Sequence, residues 1–345
     1  MKLIVYFLVI VLSFSGIAQG QGCCSGSAGN PIAGGASTGV LLKNQIELSG
    51  SYQYTYSDIY FRKDSDTLNM IDGLSSKYFF FRADYGITDK FTMSFATGYY
   101  PSKTLIELGL RDTISSSGMS DLILFPRYSV YNKTKERSRT EITLGLGIKI
   151  PLGSNVDSNF VGTTSNGDDI YTILPPTVQV TTGSQDLMLY SFFYKGYTKR
   201  KLRFFANTLF IRKGYNSIGQ KFGDYASVGL FVGKTVLKNV ALTAQLKGEW
   251  IGKTKVGESV STNDLAIYSI DLESSGSKKL FFVPQISYSH KNLTLFVTSD
   301  IPLYQYLNGV QVGSMFHLTT GFSYRFLTKK ADETPVKTFE LTPSE

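Results

Sequence analysis

The chain has 345 residues, 42% of them hydrophobic and 14% aromatic, with Lys+Arg 35 against Asp+Glu 27 and a formal net charge of +8. After residue 20 no apolar run approaches the ~18 residues that a membrane-crossing helix requires, so a helical membrane protein is excluded. The basic residues do not gather on one aromatic-interleaved face, which sets a nucleic-acid partner aside, and Gly 33, Tyr 22 and Phe 24 point to an all-β class.

Residues 1-20, MKLIVYFLVIVLSFSGIAQG, place Lys2 ahead of an apolar run from Leu3 to Leu12 and small residues at Gly16, Ala18 and Gly20. This is the pattern of a cleaved signal peptide, and it predicts an exported chain. Cys23 follows Gly20-Gln21-Gly22, which lacks the Leu expected three residues before a lipidated cysteine.

The segment 21-44 holds the stretch GCCSGSAGNPIAGG at 22 to 35. Its small residues let a backbone pass close to other chain, so it reads as a plug or constriction, with a flexible tether as the alternative. Cys23 and Cys24 are the only cysteines, and no disulfide framework is available to the body of the chain. A bond between neighbouring cysteines is strained. Their thiolates are the one metal candidate, for a soft ion such as Cu(I) or Zn, but two ligands do not close a site. Inert or intermolecularly linked thiols are the other reading, and no cofactor is expected.

From 45 to 327 the sequence alternates. Residues 45-60, 74-87, 91-101, 119-131, 139-150, 184-197, 201-212, 222-235, 240-252, 279-289, 292-304 and 313-327 read as twelve strands. In 313-327, Phe316, Leu318, Phe322, Tyr324 and Phe326 share one face, while His317, Thr319, Gly321, Ser323 and Arg325 share the other. Most of these strands run 11 to 16 residues, beyond the usual globular strand of about 5 or 6 and enough to cross a bilayer when tilted. Short connections at 88-90, 132-138, 198-200, 236-239 and 290-291 alternate with long ones at 61-73, 102-118, 151-183, 213-221, 253-278 and 305-312. That rhythm predicts a single antiparallel transmembrane barrel of the outer membrane, with short basic turns and both termini on the periplasmic side. Tyr54, Tyr56, Tyr60, Tyr99, Tyr100 and Tyr197 fall where aromatic girdles are expected. Residues 328-345, charged and without periodicity, read as a disordered periplasmic tail.

Three segments carry a resemblance. GMSDLILFPRY (118-128), GLGIKIPLG (145-153) and TGSQDLMLYSFFY (182-194) resemble, in order and spacing, strands of the meta-pathway phenol-degradation family of outer-membrane proteins. A looser likeness extends to transporter-like barrels with a cysteine-containing N-terminal segment. The resemblance implies a barrel that passes small hydrophobic or aromatic compounds.

By alternation the lumen receives Glu47, Arg82, Asp84, Asp121, Arg127, Glu141, Lys149, Arg203, Lys247, Glu249, Asp300, His317 and Arg325. These charges read either as a cross-strand ladder of ion pairs or as a polar selectivity lining. Catalysis is not expected: the histidines are His290 and His317, no Gly-x-Ser-x-Gly elbow is present, and His317 is off the oily face where a membrane phospholipase would need it. The expected partners are outer-membrane lipids and a small-molecule solute, and the sequence names no protein partner. The reading is a channel or transporter for small, hydrophobic or aromatic molecules. Its alternative is an accessory barrel that docks proteins through its loops and tail.

Overall fold

The computed structural model describes residues 39-69, 71-108, 113-163, 165-261 and 270-328, apart from the side chain of Val161. The signal peptide, the 22-35 stretch with Cys23 and Cys24, and the tail from 329 onward lie outside the described residues. In chain order the strands are β1 (Gln45–Ser57), β2 (Tyr60–Lys63), β3 (Ser65–Thr67), β4 (Ile71–Thr88), β5 (Phe91–Glu107), β6 (Thr113–Met119), β7 (Asp121–Leu124), β8 (Arg127–Lys135), β9 (Ser138–Pro151) and β10 (Ser158–Thr163). They continue as β11 (Asp169–Ile173), β12 (Asp186–Tyr197), β13 (Leu202–Arg212), β14 (Gln220–Lys221), β15 (Tyr225–Thr235), β16 (Val240–Ile251), β17 (Lys255–Val256), β18 (Ser277–His290), β19 (Leu293–Val312) and β20 (Phe316–Leu327).

Twelve wall strands close into one antiparallel barrel, with β6, β7 and β8 together supplying a single interrupted strand. β1 pairs with β4 on one side and with β20 on the other, from Gln45 opposite Leu327 to Tyr56 opposite Phe316. First and last strands therefore seal the sheet, and the wall keeps no free edge. The interruption in the fourth wall strand has local causes. Ser120 and Asp121 are both buried, so the inward phase skips one residue there as at a bulge. Pro126 then removes a donor from the ladder.

Alternation produces the two faces. On β9, Glu141, Thr143 and Lys149 are buried while Leu144, Leu146 and Ile148 are exposed. The same exposed apolar row runs over β12, β13, β15, β16 and β20. An oily belt this continuous would associate in water and is what a lipid bilayer covers.

The short turns lie as expected, but several long connections are partly strand. β4 and β5 extend to Ile71 and Glu107 and pair with each other over that length, β5 also pairs with β6, and β19 runs on to Val312 to pair with β2. Ladder pairing with neighbouring strands carries these strands past the points where polar residues suggested loops. The connection 151-183 divides. β10 and β11 form an outlying hairpin, whereas Leu174 and the run from Val178 to Thr182 are buried. That second half folds into the mouth: Lys103 Nζ donates to the Gln179 carbonyl at 2.6 Å, and the Ser116 hydroxyl donates to the Val178 carbonyl.

Candidate functional site: the lumen

Inward-pointing charges are matched in three clusters. In the first, Arg82 Nε donates to Asp84 at 2.8 Å, Arg127 Nη2 to Asp84 at 2.6 Å, Arg82 Nη2 stands 3.6 Å from Glu47, and Arg325 pairs with the same Glu47. In the second, Lys149 Nζ lies 2.9 Å from Asp121 and 3.4 Å from Asp186, with Lys213 Nζ 2.9 Å from Asp186. The hydroxyls of Thr181 and Ser184 donate to Asp121 and Asp186, which ties the inserted loop to this cluster. In the third, Lys247 bridges Glu249 and Asp300, His317 Nδ1 is 3.2 Å from Asp300, and the Tyr225 hydroxyl donates to Glu249 at 3.0 Å. Separately, Arg139 pairs with Glu141 at 2.7 Å.

Ion pairs, across strands or along one strand as for Arg139 and Glu141, thus engage each of the sequence-predicted residues but one. Arg203 on β13 makes no ion pair among the described residues, and its Nε is buried without a hydrogen-bond partner. Low dielectric makes a matched pair rigid and an unmatched charge costly, so the wall is electrically quiet where it is paired.

The luminal face is not only small and polar. Tyr78, Phe80, Tyr100, Ile123, Phe125, Met188, Tyr190, Phe192, Phe205, Leu209 and Phe231 form a buried apolar cluster inside the barrel, joined by Val180 of the inserted loop. Tyr100, expected in an exposed girdle, packs instead on Tyr78 with ring centroids 4.5 Å apart. Tyr99 takes the outward position. The signal for these aromatics was parity: Phe80 shares its face with Arg82 and Asp84, and Phe205 shares its face with Arg203. Arg139, Asp186 and Lys213 were missed because they sit at strand ends, where the phase is least certain, and Lys103 because it lies in the part of β5 that read as a loop.

On the short-turn side the lumen opens into a cavity of about 850 Å³. Its inner wall includes Phe80, Phe192, Tyr194 and Phe205, and its rim includes Lys238 and Lys291. The chain ahead of β1 lies in this mouth. Arg127 Nη1 donates to the Gly39 carbonyl at 2.8 Å, the Val40 amide donates to Glu141 at 3.2 Å, and the Leu41 amide donates to the Thr92 hydroxyl at 2.8 Å. Gly86 permits the approach, since a Cβ there would stand 1.9 Å from the Leu42 carbonyl oxygen. Among the described residues no group of three or more His, Cys, Asp or Glu side chains is placed to hold a metal ion.

A closed wall, an oily outer belt and a charged lumen define a transmembrane β-barrel. An outer-membrane channel from Pseudomonas putida F1 has a similar fold, with a TM-score of 0.61 at 14% identity over 85% of this chain and 99% of that one. The KdgM porin (TM-score 0.38, 9% identity, 81% and 99% covered) and a FadL homologue of Pseudomonas aeruginosa (TM-score 0.39, 7% identity, 82% and 90% covered) are likenesses to barrels in general. No protein-family model matches the chain. No curated protein matches it in sequence.

Proposed function

We propose that this chain is an outer-membrane channel for small molecules, with apolar or aromatic solutes favoured, exported by its signal peptide and oriented with the short turns in the periplasm. The observation that carries this reading is the cavity of about 850 Å³ on the short-turn side, walled by Phe80, Phe192 and Phe205. Its volume and its mixture of aromatic walls with a few charged groups suit a small ligand. The likeness to an outer-membrane channel supports the same reading, as does the resemblance to the phenol-degradation family.

The inserted loop at the opposite mouth favours a second reading, a non-transporting barrel that docks partners. Reconstitution into liposomes decides between them. The channel reading expects purified protein to raise permeability to small solutes above that of empty liposomes, with aromatic solutes preferred over sugars of similar size. Liposomes that stay as tight as the empty control would leave the docking barrel.

A further inference from the structure

Arg203 is the exception among the arginines facing the short-turn cavity. Arg82, Arg127, Arg139 and Arg325 each meet a carboxylate. Arg203 meets none among the described residues, although its Nε is buried. Packing does not account for it either. Its lateral neighbours in the ladder are Gly196 on β12 and Gly233 on β15, neither of which supplies a side chain of its own to pair with the guanidinium. A Cβ at Gly233 would stand 3.7 Å from Arg203 Nε, and one at Gly196 would stand 2.4 Å from the Tyr194 hydroxyl oxygen, which leans over that position.

One step inward along the same face is Phe205, stacked on Phe231 with centroids 4.4 Å apart at 19° and tilted against Phe192 at 6.3 Å. The cavity therefore juxtaposes an unmatched planar cation, a phenolic hydroxyl and an aromatic wall. Exposed Lys238 and Lys291 stand at its rim, where they attract anions.

We propose that this cavity binds aromatic carboxylates, with the Arg203 guanidinium receiving the acid group and Phe192 and Phe205 receiving the ring. The guanidinium fork matches the two oxygens of a carboxylate. The inference rests on the channel reading and narrows it to a solute class, but the binding step is measurable without transport.

The test uses the full mature chain in phosphatidylcholine nanodiscs, dialysed against radiolabelled 1-naphthoate, with empty nanodiscs subtracting partition into lipid. Saturable binding is expected, weakened about ten-fold or more in Arg203→Gln. It should be unchanged in Lys199→Gln, a turn lysine away from the cavity. The neutral 1-naphthalenemethanol should bind at least about ten-fold more weakly than the acid. Equal affinity in Arg203→Gln and the unsubstituted chain, or equal affinity for alcohol and acid, overturns the proposal. Should Arg203→Gln fail to assemble, Arg203→Lys serves: it keeps the charge and loses the fork, so affinity equal to the unsubstituted chain overturns fork recognition, while a fall supports it. Impermeable liposomes with naphthoate binding that depends on Arg203 would remove the channel and leave the site. Permeable liposomes with binding indifferent to Arg203 would do the reverse.

Discussion

Arg127 Nη1 donates to the Gly39 carbonyl oxygen at 2.8 Å, so a wall residue of β8 holds the chain that precedes β1 inside the mouth of the barrel. The same guanidinium is anchored by Asp84 and Ser94, which fixes its direction. Position of the leading segment and integrity of the first ion cluster are therefore coupled.

That coupling yields the first prediction. Asp84→Ala leaves two buried guanidinium groups facing each other with Glu47 as their remaining carboxylate, and breaking a buried pair from one side costs about 3–5 kcal/mol. The variant should lose its compact, heat-modifiable gel band at a clearly lower temperature than the unsubstituted protein. A matching temperature would mean that the cluster is wet and worth little.

The leading segment gives the second. We propose that residues 22 to 38 narrow the lumen, because the chain that follows them is held in its mouth. Deleting them should raise single-channel conductance in planar bilayers while the barrel still assembles, since no strand is removed. Cys23→Ser with Cys24→Ser should leave conductance as it was, and loss of a copurifying metal would instead give the thiols a ligand role. An unchanged conductance on deletion would reduce the segment to a tether.

At the other mouth, the inserted half of the 151-183 connection should behave as a seal. Val178 is fully buried, and an unpaired carboxylate there is too costly to keep in place. Val178→Asp should release the segment and increase conductance without changing the folded gel band. A tight channel in that variant would show that closure lies elsewhere.

Topology is read by labelling intact cells. Cysteine at Asn166, in the exposed turn between β10 and β11, should react with an impermeant reagent, whereas cysteine at Lys135 or Arg200 should not. The opposite pattern would invert the orientation. Cysteine at Val178 should stay silent on intact cells.

The loop before β18 supplies a pH dependence. Amide and hydroxyl hydrogen bonds from Ser274 and the amide of Glu273 hold the Asp271 carboxyl below its usual range. A carboxyl with a depressed folded pKa stabilises above its unfolded pKa and loses that effect as pH falls through the folded one. Hydrogen exchange at Glu273 and Ser274 should therefore accelerate only in the acid range. Exchange that is flat with acidification, after correction for intrinsic rates, would show that the turn does not depend on the carboxylate.

Much of the wall was legible because a strand's period of two is strict. Residues such as Leu144 and Lys149 differ in parity, and one is bathed by lipid while the other is buried. The charged lumen followed from the same rule. The aromatic interior did not, because β12 carries apolar residues on both faces: Leu187, Leu189 and Phe193 outside, Met188, Tyr190 and Phe192 inside. Hydrophobicity then gives no contrast, and only the phase inherited from neighbouring charges tells the faces apart. The inserted loop was illegible for a different reason. Leu174, Val178 and Val180 are separated by prolines and polar residues, and what buries them is the barrel mouth, a surface assembled from strands distant in sequence.

The seam between β1 and β20 sets the order in which this molecule can be made. Glu47 and Arg325 meet across it at a separation of 278 positions, so the ring cannot shut until nearly the whole polypeptide has arrived. Contacts this remote form slowly, because the intervening chain must lose its freedom before they form. Until then both terminal strands present unpaired backbone and half of their side chains are oily, the combination most prone to aggregate. A chain with this seam must travel unfolded and escorted, and any truncation that removes β20 leaves an open sheet with two adhesive edges.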